Sequence, residues 1–302
     1  MVEKNMNSIK FLFRLAIAIF FLISLFIANF SSVNNFSKSE KHITLNQTKR
    51  LNREELPVKV SDQTWNIFED IQEIQNLAIE FDPNRKNGTV SENVRAQYLL
   101  LPSKLQIGIV FYDKNITEEV LAHEALHVLY ICQGHPFFYR NAFRITKTIE
   151  NMESSIQHIH VYKILEMMGF NPKPEAQNNY LRGIEIFRKS LHKIPQHVRK
   201  YELITLGAEF TLRGLVNGVD LPYIKENIPL RIKGGLTKGI EIYKELNKYN
   251  FSEKEENFKA RIFVATALGL TVRDTLIGEL DFRQRKRFYY DPNDGSLFMY
   301  LE

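Results

Sequence analysis

The hydrophobic pattern divides the chain into an apolar N-terminal run, a polar stretch and a long region of mixed periodicity. Residues 11–30 read FLFRLAIAIFFLISLFIANF, and after Arg14 only Ser24 and Asn29 interrupt the apolar positions. Such a run reaches the roughly 20 residues that cross bilayer hydrocarbon. Lys4, Lys10 and Arg14 precede it, as for a segment whose N-terminus stays cytoplasmic. A cleaved signal peptide has an apolar region of about 7–15 residues and small residues at the cut. The exit here, Ile27-Ala28-Asn29-Phe30-Ser31-Ser32, offers no small-x-small site in good position. The pattern therefore predicts a single-pass anchor over 1–30, with the remaining chain extracytoplasmic. Lys38, Lys41, Lys49, Arg50 and Arg53 on the far side soften that charge asymmetry. Residues 31–60, rich in Ser, Asn and Lys, read as a stalk or linker.

From residue 61 the periods become those of a folded domain. Trp65, Phe68, Ile71, Ile74 and Ala78 form one helical face, opened near Ser61 or Asp62 and stopped at Asp82-Pro83-Asn84. LQIGIVFY at 105–112 is short, β-rich and bounded by Pro102 and Asp113-Lys114-Asn115, which predicts a strand. Asn115 followed by Glu118 then suggests the cap of a helix over 116–132. Further helices are predicted near 141–168, 174–192, 197–216, 235–248 and 253–272, the last opened by Ser252-x-x-Glu255. A terminal hairpin is predicted from Phe288-Tyr289-Tyr290 and Leu297-Phe298-Met299-Tyr300, flanking Pro292-Asn293-Asp294-Gly295. The sum is an α+β domain, mainly α, over 61–302.

Composition adds exclusions. The 302 residues are 44% hydrophobic and 25% charged, ordinary for a globular protein, and mean hydropathy of -0.26 excludes a polytopic membrane protein. A net charge of +5 is too mild to argue for nucleic acid, and none is expected as a partner. Cys132 is the only cysteine, so no intramolecular disulfide can form. It reads as a small buried hydrophobe. The basic run Arg283-Gln284-Arg285-Lys286-Arg287 reads as solvated surface.

One motif carries chemistry. Residues 120–129 are VLAHEALHVL, so His123-Glu124-Ala125-Leu126-His127 is H-E-x-x-H on a predicted helix. Positions i and i+4 lie one above the other, so both imidazoles reach one ion. Glu124 is turned by about 100° from His123 and can face a metal-bound water as general base. The flanking residues are all uncharged, and burying two His and a Glu is costly unless something pairs them. A metal does so most simply.

These residues resemble the active-site helix of the zincin metallopeptidases, with Val120 in the leading position and a strand just upstream. The metzincin extension would need Gly at 130 and His at 133, where the chain has Tyr130 and Gln133. The likeness is therefore to the gluzincin branch, in which a Glu on a later helix completes the site. It implies one Zn²⁺ per chain, hydrolysis of peptide bonds, and a peptide or protein as substrate. The next helix offers Glu150, Glu153, His158 and His160. Against its apolar line Ile145, Ile149, Met152, Ile156 and Ile159, Glu153 lies about 80° from the middle and Glu150 about 140°. Glu153 is thus the better third ligand beside His123 and His127. Glu150 and the two histidines remain candidates, with His158 on the polar side. The family often places an Asp four residues after its ligand Glu. Here that position is Gln157, whose amide oxygen can still accept from an imidazole N–H. His160 is either an oxyanion donor or a structural histidine.

A rival expectation is a non-catalytic membrane protein or regulator on a peptidase-like fold, its metal closed by four protein ligands such as His135, His158 or His160.

Overall fold

The computed structural model describes residues 50–82, 96–113, 115–140, 146–190 and 199–301. The predicted anchor at 11–30 lies outside them. Among the described residues no helix is long and apolar enough to cross a membrane.

The polar segment read as linker is already packed from Leu51 onward. Leu51 N–H donates to Gln72 Oε1 at 2.6 Å, Leu56 and Val60 are buried, and Arg53 bonds Asp62 Oδ1 and the Val60 carbonyl. Helix α1, Asp62–Ile74, starts where Ser61 accepts from Thr64 N–H and buries Phe68 and Ile71. It ends earlier than its apolar period suggested. Ala78 belongs instead to strand β1, Ala78–Phe81, which pairs in parallel with β3, Gln106–Phe111. Strand β2, Ala96–Leu101, lies antiparallel on the other side of β3, giving the order β1-β3-β2. The ladder won over the helical period because β3 is buried along nearly its whole length and needs a partner on each edge.

Helix α2, Glu118–Cys132, is capped by Thr117 rather than Asn115: the Thr117 hydroxyl accepts from Val120 N–H at 3.3 Å. Glu118 accepts from Ser61 N–H and from the Thr64 hydroxyl, both at 2.7 Å, joining the starts of α1 and α2. After α2 the chain turns at Gly134 (φ +78°) into β4, Phe137–Arg140. Strand β4 heads a second, antiparallel sheet with β5 (Thr275–Asp281), β6 (Lys286–Tyr290) and β7 (Leu297–Leu301), in the order β4-β5-β6-β7. The expected terminal hairpin is thus two strands of a larger sheet.

Between the sheet-forming ends lie α3 (Thr146–Met167), α4 (Lys173–Ser190), α5 (Lys200–Val216), α6 (Leu221–Asn227), α7 (Leu236–Leu246) and α8 (Lys254–Leu268). Tyr180, Ile184, Phe210, Ile224 and Ile232 form a core cluster of this helical part. Helix α8 lacks the expected Ser252 cap: its N-cap is Glu253, and the Ser252 hydroxyl bonds Asn250 instead. The protein is α+β and mainly helical.

Candidate metal centre

Helix α2 packs against α1, α3 and β2, so its motif is enclosed on several sides. His127 is buried at 2% exposure, whereas His123 and Glu124 are half-buried. Across from them, α3 brings His158. His123 Nε2 lies 3.1 Å from His127 Nε2 and 3.1 Å from His158 Nε2. The three imidazoles each offer one nitrogen, all within 4.8 Å of one another, and the group could hold a metal ion. Imidazoles sharing a tetrahedral zinc at 2.0–2.1 Å have nitrogens about 3.3 Å apart, so the donor set fits such an ion.

Hydrogen bonding alone accounts for this cluster poorly. His127 Nδ1 lies 2.6 Å from Gln157 Oε1, an acceptor, so its one neutral-state proton belongs there and its Nε2 is bare. A proton on His123 Nε2 serves His127 or His158 but not both. Burial, and then the neighbouring imidazoles, hold His123 and His158 well below the usual histidine range; burial takes His127 down to about 4. All three are neutral at pH 7, the state in which imidazole ligates metal.

Two tyrosines enclose the cluster. Tyr98 of β2 stacks on His127 at 5.1 Å and 25°, and Tyr162 stacks on His158 at 4.6 Å and 10°. Tyr98 also donates its backbone N–H to Glu124 Oε2 at 2.7 Å. Burial pushes the Glu124 carboxyl up to about 8, an effect that the Tyr98 N–H opposes. A cation beside it would favour the ionised form again.

Glu153, the expected third ligand, does not join the histidines. Both its oxygens face Arg261 of α8, at 2.6 and 3.1 Å, and it also accepts from Phe138 N–H and Gln157 Nε2. Glu150, the alternative, lies 3.6 Å from Lys147. His160 packs on the Tyr130 ring, and His135 stacks on Tyr130 and bonds Asn257, so neither closes the site. Gln157 does meet an imidazole, as its place in the sequence suggested. Cys132 is buried, with its thiol pushed up to about 12 by burial.

Helical phase pointed to Glu153 rather than to His158 because α3 has no single buried face. Glu153, Ser155 and Gln157 are buried together with Ile149, Met152 and Ile156. His158 and Tyr162, spaced i,i+4, were the available signal. For Arg261 there was none beyond its place among the apolar positions of α8.

The fold and site therefore define an α+β protein with a three-histidine candidate metal centre between an H-E-x-x-H helix and the helix that follows it. No family model, curated protein or solved structure matches the chain.

Proposed function

We propose that the chain is a membrane-anchored, zinc-dependent metallopeptidase. Its ligands are His123, His127 and His158, and its general base is Glu124. The observation that carries this reading is the convergence of three imidazoles next to the Glu of the motif. Bound there, zinc would supply an activated water and polarise a carbonyl, and Glu124 would accept the water's proton. Tyr98 N–H holds Oε2, which leaves Oε1 to receive it. Gln157 orients His127. Peptide-bond substrates follow from the likeness to zincins, and the apolar run at 11–30 is the proposed anchor. Three protein ligands favour an open, catalytic position over a closed structural site.

The full chain, purified metal-replete in detergent, is expected to carry close to one zinc. It should cleave members of a peptide library in a chelator-sensitive, zinc-restored manner. His123→Ala, His127→Ala and His158→Ala should each lose the metal. A metal-free preparation, or a His158→Ala protein that keeps full zinc occupancy, would overturn the assignment.

A further inference from the structure

The buried carboxylate that the sequence marked as a ligand has another use. We propose that the Glu153–Arg261 ion pair is a positioning device which, acting through Gln157, fixes the tautomer of His127. Its benefit to metal capture rests on the ligand reading above, while the tautomer control itself does not.

Glu153 Oε1 accepts from Arg261 Nη2 at 2.6 Å and from Gln157 Nε2 at 2.8 Å. Its Oε2 accepts from Arg261 Nε at 3.1 Å and from Phe138 N–H at 2.8 Å. The carboxylate's acceptor sites are thereby filled. Arg261 is fully buried and is anchored further by the Asn257 carbonyl and Asn257 Oδ1 at 3.1 and 3.2 Å. Neither partner can turn without leaving a charge unpaired inside the protein.

Gln157 is the ambivalent member of the chain. Its side-chain amide has two orientations of nearly equal shape, one presenting oxygen to His127 and the other presenting N–H. The reversed orientation would set the Gln157 oxygen against the Glu153 carboxylate. Glu153 therefore selects the orientation observed, in which Gln157 Oε1 lies 2.6 Å from His127 Nδ1. Only a proton on Nδ1 satisfies that contact. A neutral imidazole has one proton, so His127 Nε2 carries a bare lone pair, aimed at the cluster with His123. With the amide reversed, the proton would sit on Nε2 and block it. A charge pair outside the cluster thus decides whether His127 can act as a donor.

The test is a two-bond ¹H–¹⁵N correlation spectrum of the histidine rings in the full-length, metal-free protein, paired with zinc affinity by competition against a chromophoric chelator. Wild type is expected to show His127 as the Nδ1–H tautomer. Glu153→Gln should lose that single pattern and weaken zinc binding by about 10–100-fold, the usual cost of losing an outer-shell partner. The exchanged pair, Glu153→Gln with Gln157→Glu, keeps the charge of the cluster and puts at 157 an acceptor with no amide to turn. It should restore both the Nδ1–H pattern and the affinity, a rescue that a merely space-filling role would not produce. A Glu153→Gln protein with wild-type tautomer and affinity overturns the proposal. So does a wild type whose His127 is the Nε2–H tautomer, and that arm decides alone if the single variant does not fold. Wild type that shows Nδ1–H but takes up no zinc supports the tautomer control and overturns only the metal reading.

Discussion

Glu124 follows His123 on the same helical turn, yet its surroundings differ from those of the three histidines. The Tyr98 N–H holds one oxygen, and burial lifts the carboxyl's affinity for a proton, as the proposed role of general base requires. Glu124→Gln removes the acceptor while keeping shape. Zinc content should stay near wild type and hydrolysis should fall by about 10²–10⁴. A variant that still cleaves at the wild-type rate would exclude Glu124 as the base. The neutral imidazoles have a second consequence, for stability. His127 ordinarily takes a proton near pH 6.5 but in the folded protein only near about 4. Between those values the unfolded chain binds more protons than the native one, so stability rises with pH across that window. The shift is worth roughly 3 kcal/mol for His127 once pH is below both values. Glu124, raised to about 8, titrates with the opposite sign in this window. Metal-stripped Glu124→Gln protein, which lacks that titration, should therefore melt at a lower temperature at pH 5 than at pH 7. Equal melting temperatures would show that the histidine cluster is not held neutral.

At the scale of elements, the helical part depends on one close crossing. A Cβ on Gly207 of α5 would stand 2.0 Å from the Ile232 carbonyl oxygen, and one on Gly235 would stand 2.2 Å from the Ile204 carbonyl oxygen. Both obstacles are backbone, so no rotamer change relieves them. Gly207→Ala should cost at least about 1–3 kcal/mol, the range for overpacking a close-packed interior. Denaturant titration reads this as a lower midpoint, and an unchanged midpoint would mean that the two segments are not in contact. Elements also explain which expectations held. Helix α2 was legible because its length and its motif lie within one short stretch, although its cap is Thr117 rather than Asn115. Strands β2, β4 and β5 were not: AQYLLL pairs with its sequence neighbour β3 but shows no clear alternation of polar and apolar residues, whereas FFYR and TLIGELD pair with each other from far apart in the sequence. The end of α1 was misjudged for the same reason: β3 draws Ala78–Phe81 into its ladder.

At the scale of the whole molecule, the apolar run at 11–30 predicts that the full-length protein stays in the membrane fraction through high-salt and alkaline washes. A spanning helix resists both, whereas a contact made by charges does not resist salt. Release by either wash, or a mature N-terminus near residue 30, would count against the anchor.

The sequence by itself determined the α+β, mainly helical character of the chain and the pairing of His123 with His127, because both follow from spacing along a single helix. It also marked Gln157 as a partner for an imidazole. Only the tertiary structure decided which side chain lies beside His123 and His127. Helix α3 is buried on more than one side, so its phase could not tell His158 from Glu153. That choice was made by Arg261, 108 residues further along the chain, which claims the Glu153 carboxylate and leaves His158 to face the motif. A buried charge goes to the partner that neutralises it, and that partner is fixed by packing between helices rather than by local spacing.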